Sequence, residues 1–197
     1  MRAWVGPAER FALAGVAVVL LLQAAGLGSA LEYRRALLAS QPWRLLTCHL
    51  VHANWRHAAG NAAAWLALAW LLAPELPPAR QALLLASSAL ATGLLLWLAA
   101  PDVAWYRGLS GALHGLAACA AVLWLARPGL AGGRTGRLWP ALLLAAVWIK
   151  VTAEQVGAAP LATENWVGVA VVTRAHLFGA ATGTLIGASW AWLRRTR

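Results

Sequence analysis

Apolar stretches long enough to cross a lipid bilayer recur through most of this chain of 197 residues. A membrane-spanning helix needs about 20 apolar residues to cross a hydrocarbon core of roughly 30 Å. Five stretches are long enough, and a shorter sixth is closed by Pro74 and then Pro77-Pro78. We therefore predict an all-α integral membrane protein, a single domain over residues 1–197 with six transmembrane helices. The predicted spans are residues 11–31, 57–73, 81–99, 109–126, 138–154 and 167–193.

The composition agrees with a membrane protein. Hydrophobic residues make up 61% of the chain and charged residues only 11%, well below the roughly 25% usual for soluble domains. The net charge of +10 would suit a nucleic-acid partner, but the cations are spread between the spans rather than gathered on one face. We therefore predict a lipid bilayer as the environment and no nucleic-acid partner.

The first span also has features of a cleavable signal peptide. Arg2 and Arg10 precede it, and Gly28-Ser29-Ala30 resembles a cleavage site. Its apolar stretch is longer than the 7–15 residues typical of a signal peptide, and cleavage would leave five spans. We interpret residues 11–31 as a span.

Cations and loop composition orient the predicted bundle. Arg127, Arg134, Arg137 and the Arg-rich C-terminus dominate one side, and an excess of cations marks the cytoplasmic side. We therefore predict that both termini are cytoplasmic. The outer connection over residues 32–56 is too apolar for a solvated linker, so we expect it to be ordered and partly embedded in the membrane.

Four polar side chains from three predicted spans lie at similar depth on the outer side. His57 and Asn61 open the second span, Ser110 opens the fourth, and His176 lies about two turns into the sixth. Such groups are costly at membrane depth and are functional candidates by default. Ser110 needs a base to take its proton, and His176 is the best-placed candidate. His57, Asn61 and the backbone N–H of Ser110 offer donors for the negative charge that develops in acyl transfer.

Small residues at intervals of four form a ridge on each of two spans. Gly111 and Gly115 follow the candidate nucleophile, and Gly179, Gly183 and Gly187 follow the candidate base. Faces of this kind allow helices to pack closely in lipid. If the two ridges pack together, nucleophile and base meet on the shared face.

Other interpretations of these residues remain open. A lone serine in a membrane helix usually bonds its own backbone, and a lone histidine or asparagine is often an interhelical hydrogen-bond partner. His49, His52 and His57 could instead ligate a metal or haem iron, although no suitably spaced carboxylate or thiolate accompanies them. We expect no cofactor, no metal, and no disulfide between Cys48 and Cys119.

Three stretches in this order resemble the rhomboid proteases. Trp43-Arg44-Leu45-Leu46-Thr47, followed by His52, His57 and Asn61, resembles their first loop and second helix. Gly108-Leu109-Ser110-Gly111 is similar to their nucleophile motif, and Ala175-His176-Leu177-Phe178-Gly179 with Gly183 to their sixth helix. The resemblance implies a six-helix rhomboid-like bundle and a Ser110–His176 dyad without a catalytic carboxylate. It also implies that His57, Asn61 and the Ser110 N–H stabilise the oxyanion.

A narrower resemblance points to the rhombosortase branch. It rests on Gly108-Leu109-Ser110-Gly111-Ala112-Leu113-His114-Gly115, with Lys150 and Glu154-Gln155 near the end of the fifth span. This resemblance implies cleavage of membrane-anchored bacterial proteins that carry a C-terminal Gly-Gly, a transmembrane helix and a basic tail. The enzyme would then lie in the bacterial inner membrane, with its site opening to the periplasmic side.

Four further residues are secondary candidates for the site: His52, His114, Lys150 and Glu154. Many rhomboids have a tyrosine four residues after the serine, where this chain has His114, which could stack on His176, bind a backbone carbonyl, or be an ordinary interhelical partner. Lys150 and Glu154 are four residues apart, so we expect a mutually neutralising pair. The rhombosortase resemblance adds the hypothesis that this pair helps to receive the Gly-Gly segment.

The sequence therefore predicts an intramembrane serine endopeptidase. The alternative is a catalytically inactive rhomboid-like protein that binds membrane clients, although such a protein has no need of both Ser110 and His176. A haem or metal membrane protein is a third hypothesis. A transporter is disfavoured because charges within the spans are scarce.

Overall fold

The computed structural model describes residues 6–73, 76–126, 133–157 and 161–195, and helix dominates these ranges. The long helices are α1 (Pro7–Ala24), α4 (Trp55–Leu72), α5 (Pro78–Ala99), α6 (Ser110–Leu125), α7 (Gly133–Gln155) and α9 (Thr173–Arg195). The short helices are α2 (Gly28–Leu31), α3 (Arg44–Thr47) and α8 (Leu161–Val167). Strands β1 (Tyr33–Arg34) and β2 (Trp105–Tyr106) pair antiparallel. The long helices correspond in order to the six predicted spans.

Two of the predicted spans are interrupted where glycine takes a left-handed conformation. Gly26 has φ of 68° just after α1, and Gly168 has φ of 78° just after α8. Glycine adopts this region without the steric cost that other residues have. In the first predicted span, helix α1 therefore ends at Ala24. In the sixth predicted span, helix α9 begins at Thr173, six residues after the predicted start of the span.

Among the residues that the structure describes, three helices are long and apolar enough to cross a membrane by themselves: Pro7–Ala24, Pro78–Ala99 and Gly136–Gln155. Helix α6 is apolar but shorter, with 16 residues. Large apolar side chains nevertheless face outward on the two remaining long helices, with Trp70 of α4 and Leu185 of α9 each 69% exposed. Such surfaces suit a lipid environment. A six-span topology stays a prediction.

Helix α6 lies at the centre of the bundle. Eleven of its sixteen residues are buried, and it packs against α4, α5, α7 and α9. Its closest neighbour is α9, because the two glycine ridges meet. A Cβ atom built on Gly179 or on Gly183 would collide with the carbonyl oxygen of Gly111 or of Gly115, respectively. The predicted packing of the ridges is therefore confirmed.

The connection over residues 32–56 is ordered, as predicted. Arg44 donates from Nη1 to the Glu32 carbonyl at 2.7 Å, and Thr47 donates from Oγ1 to the Leu31 carbonyl at 2.8 Å. The short β1–β2 ladder ties this connection to the segment that precedes α6. These contacts fix the connection against the loop that carries Ser110.

Candidate active site

The loop before Ser110 is held by the connection over residues 32–56. Gly108 donates from its N–H to the Cys48 carbonyl at 3.0 Å. The Gly108 carbonyl oxygen accepts the Tyr106 hydroxyl at 2.5 Å and lies 3.2 Å from Nδ1 of His49. Gly108 has φ of 128°, a conformation that favours glycine. These contacts hold the loop that leads into α6, and Ser110 is the first residue of that helix.

Ser110 and His176 are in hydrogen-bond contact. The Oγ atom of Ser110 lies 2.9 Å from Nε2 of His176, whose side chain is buried. His176 lies in the first turn of α9 rather than two turns into a helix, because α9 begins at Thr173. Ser110 and His176 are separated by 65 residues in the sequence. Packing of the glycine ridges nevertheless brings the starts of α6 and α9 together. The arrangement has the geometry of a nucleophile beside a general base.

A carboxylate lies on the other side of the His176 imidazole. Oε2 of Glu154, near the end of α7, is 2.7 Å from Nδ1 of His176. Oε1 of the same carboxylate forms an ion pair with Lys150, as the spacing predicted. Glu154 is only 5% exposed. The site therefore differs from the dyad that the family resemblance implied, because a buried carboxylate contacts the base directly.

His114 meets both members of the Ser110–His176 pair. Its ring stacks on the His176 ring with centroids 4.3 Å apart and an angle of 19° between the planes. Its Nδ1 atom lies 2.7 Å from the Ser110 carbonyl oxygen. The two contacts considered from the sequence are therefore both made. His114 therefore contacts the face of the His176 ring, whereas Glu154 contacts its Nδ1 atom.

Of the predicted oxyanion donors, His57 lies beside the loop that carries Ser110. The ring of His57 packs against Gly108. A Cβ atom added to Gly108 would lie 2.6 Å from Cε1 of His57. His57 Nδ1 is buried and has no hydrogen-bond partner among the described residues. Asn61 donates from Nδ2 to the His57 carbonyl at 3.1 Å. His57 is therefore a candidate donor with an unpaired ring nitrogen, while the Asn61 amide directs one of its two N–H bonds to its own helix.

His49 and His52 support the loop. Nε2 of His52 accepts the Leu109 N–H at 3.4 Å, and the His52 ring packs edge-on against His57 with centroids 4.9 Å apart. Within the described ranges, no group of three or more His, Cys, Asp or Glu residues could hold a metal ion. The hypothesis of a metal site on His49, His52 and His57 therefore gains no support.

A small cavity lies between Ser110 and the segment that precedes α9. It measures about 20 Å³, which is room for about one water molecule. Its walls include His57, Trp105 and the segment 169–172. Asn54 holds the start of that segment by donating to the Val167 carbonyl at 2.6 Å. A larger cavity of about 560 Å³ lies near Glu32 and Arg107, and it is lined by neither member of the Ser110–His176 pair.

Some of these contacts had no signal in the sequence. Tyr106 and His49 hold Gly108, but neither is near Ser110 in an obvious motif. The ladder that brings them together has only two residues in each strand. The contact between Glu154 and His176 joins two helices and was also not predicted. Of the contacts that Glu154 makes, only the pairing with Lys150 was predicted from residue spacing.

Comparison with known proteins identifies the family. The Rhomboid domain matches residues 39–193, which include each of the residues described above as part of the site. No curated protein matches the chain significantly. Rhomboid proteins are generally serine intramembrane proteases, and inactive homologues exist. Since the match covers more than half of the sequence, the chain belongs to the rhomboid family.

Proposed function

We propose that this protein is an intramembrane serine endopeptidase that cleaves membrane-anchored proteins. The observation that carries the proposal is the 2.9 Å contact between Ser110 Oγ and His176 Nε2. His176 Nε2 takes the hydroxyl proton as Oγ bonds to the carbonyl carbon of the substrate. His176 then gives that proton to the leaving amine as the C–N bond breaks. Water hydrolyses the acyl-enzyme and restores the Ser110 hydroxyl.

The negative charge of the tetrahedral intermediate needs hydrogen-bond donors. His57 lines the cavity beside Ser110 and carries a buried nitrogen with no partner in the described part of the chain. The backbone N–H of Ser110 is the first of α6, so no residue of its own helix accepts it. We assign these two groups and Asn61 to the oxyanion. A donor of this kind typically contributes about 10²–10³ in rate.

The proposal includes a six-span topology with both termini in the cytoplasm. His57, Ser110 and His176 lie in the first turns of α4, α6 and α9. Their convergence on one site supports a common direction for these three helices through the membrane. With the cation-rich loops inside, the site opens to the opposite side. In a bacterial inner membrane, that side is the periplasm.

Glycine at the cleavage site would suit the cavity. The cavity beside Ser110 is small, at about 20 Å³. Glycine adds no side chain, allows close backbone approach and destabilises a substrate helix. These properties support a C-terminal Gly-Gly, followed by a transmembrane helix and a basic tail, as the substrate signal. That signal is also the one implied by the resemblance to rhombosortases.

The test is cleavage of a reporter by purified protein in liposomes. The reporter carries Gly-Gly, a transmembrane helix and a basic tail, and a matched reporter carries Val-Val. We expect wild type and Ser189→Ala to cut the Gly-Gly reporter, because Ser189 is exposed and donates to the Leu185 carbonyl of its own helix. Ser110→Ala should leave it intact, and the Val-Val reporter should be cut at least tenfold more slowly.

Two outcomes would contradict the proposal. Wild type that binds the reporter without cutting it would favour the inactive, client-binding type of rhomboid. Equal cleavage of the two reporters would remove the Gly-Gly specificity while leaving the protease assignment in place.

A further inference from the structure

The His176 imidazole lies between a hydroxyl and a carboxylate. Nε2 faces Ser110 Oγ at 2.9 Å, and Nδ1 faces Glu154 Oε2 at 2.7 Å. Both His176 and Glu154 are almost completely buried, at 2% and 5% exposure. A buried carboxylate is costly unless it is paired and hydrogen-bonded. The burial of Glu154 at this point therefore indicates a specific role beside His176.

We propose that Glu154 is a positioning residue that completes a Ser110–His176–Glu154 triad, which rests on the protease function proposed above. A carboxylate accepts a hydrogen bond, so Nδ1 of His176 carries the proton and Nε2 keeps a lone pair toward Ser110. This is the tautomer that a general base needs. The carboxylate also stabilises the imidazolium that forms when the Ser110 proton moves to Nε2.

Lys150 offers a competing arrangement. Its Nζ atom lies 3.4 Å from Nδ1 of His176, and an ammonium that donates there would put the ring proton on Nε2. That tautomer has no lone pair for Ser110. The Glu154 contact is shorter by 0.7 Å, from 3.4 Å and 2.7 Å, and the ammonium already pairs with Oε1 of Glu154. Lys150 therefore acts on the carboxylate, which it keeps ionised.

The same contacts give Glu154 a different role from reception of the substrate. Each of its two oxygens already has a partner, His176 or Lys150, and the residue is 5% exposed, which leaves little surface for a Gly-Gly segment to contact. The Lys150 side chain is 40% exposed and can face the surroundings while it holds the carboxylate.

The experiment compares Glu154→Gln, Glu154→Ala and Glu154→Asp with wild type in liposomes. Glutamine has the shape of glutamate, but its NH₂ group donates to Nδ1 and selects the unproductive tautomer. We expect kcat to fall by about 10²–10⁴ in Glu154→Gln with KM little changed, as happens when the orienting carboxylate of a serine protease becomes an amide. Glu154→Gln should be at least as slow as Glu154→Ala, and Glu154→Asp should recover part of the rate.

The order of the variants separates positioning from simple packing. If Glu154 only fills space, the isosteric Gln will be milder than Ala. The control is Asp102→Asn, which makes the same carboxylate-to-amide change in an exposed ion pair with Arg174 and should keep the wild-type kcat. Thermal unfolding of each variant checks that it is folded.

A second readout needs no protein substrate. The rate at which a fluorophosphonate labels Ser110 should fall in Glu154→Gln in parallel with kcat. If wild type cleaves and labels but Glu154→Gln matches it, the triad is wrong and the protease assignment stands. If wild type neither cleaves nor labels, both proposals are overturned.

Discussion

Gly179 of α9 lies directly against the carbonyl oxygen of Gly111 of α6, with no room for a Cβ atom between them. This contact lies one residue after Ser110 and three residues after His176. It sets the distance between the two helix starts, and thus the distance between the hydroxyl and the imidazole. The small size of the ridge residues is therefore a condition for the chemistry as well as for packing.

We predict that Gly179→Ala lowers both stability and activity. The added Cβ would meet the Gly111 backbone, which cannot rotate away as a side chain can. Overpacking of this kind costs roughly 1–3 kcal/mol, and activity should fall at least tenfold as His176 moves from Ser110. Gly187→Ala is the matched control, since its Cβ would approach the Cys119 carbonyl oxygen only to 3.0 Å. Thermal unfolding and reporter cleavage measure the two effects, and equal behaviour of the two variants would contradict this account.

The stacked His114 should contribute to the orientation of His176. We expect His114→Ala to lose both the stack and the contact with the Ser110 carbonyl, and His114→Phe to keep the stack. A stacked ring pair contributes about 0.5–1.5 kcal/mol, so kcat should fall roughly two- to tenfold more in Ala than in Phe. Steady-state kinetics with the Gly-Gly reporter test this order. An equal loss in the two variants, both of which lack the Nδ1 contact, would show that the carbonyl contact matters more than the stack.

Arg35 should stabilise the end of α5 far from the reacting atoms. Its guanidinium donates to the carbonyl oxygens of Leu96, Trp97 and Ala100 at 2.5–2.9 Å. These carbonyl oxygens lie at the C-terminal end of α5, where the helix itself supplies no N–H partner, and the cation also suits the negative end of the helix. We expect Arg35→Ala to lower the free energy of unfolding by about 1–3 kcal/mol. Arg80→Ala, an exposed arginine in the first turn of the same helix, should change it little.

Folding stability should depend on pH through His49, which lies in the connection between the first two predicted spans. Burial lowers the pKa of His49 to about 4, whereas in an unfolded chain it is about 6.5. The unfolded chain therefore binds the proton first as the pH falls. The stability contributed by neutral His49 is complete above about pH 6.5 and is lost as the pH falls toward 4.

The measurement is the melting temperature of wild type and His49→Gln between pH 7 and pH 4. We expect wild type to lose stability over this range and His49→Gln to have a lower melting temperature with a shallower slope. Some slope should remain, because burial also lowers the pKa of His52, to about 3. Parallel slopes for the two proteins would contradict a buried neutral His49.

Much of the fold could be predicted from local patterns. Apolar stretches and their proline boundaries indicated the six long helices, and the four-residue glycine spacing indicated that the starts of α6 and α9 meet. The start of α9 was harder to predict from the sequence. Val167 and the valines at 169, 171 and 172 continue the apolar run, so hydropathy hides the break that the backbone makes at Gly168.

The site was predictable only where helix packing was encoded by size or spacing. Ser110 and His176 lie beside the glycine ridges, so their meeting followed from close packing. Glu154 reaches His176 across the α7–α9 interface, and no periodicity in either helix specifies which face of α7 turns inward at that point. The Lys150 pairing was visible because it lies within one helix, where residues four apart are neighbours.

The central claim is that His176 activates Ser110, and covalent labelling tests it most directly. Wild type and His176→Gln are treated with a fluorophosphonate, and the modified residue is mapped by mass spectrometry of peptides. We predict that the label lies on Ser110 in wild type and that the labelling rate is at least 100-fold lower in His176→Gln. A label on another residue, or an equal rate at Ser110 in the two proteins, would contradict the account.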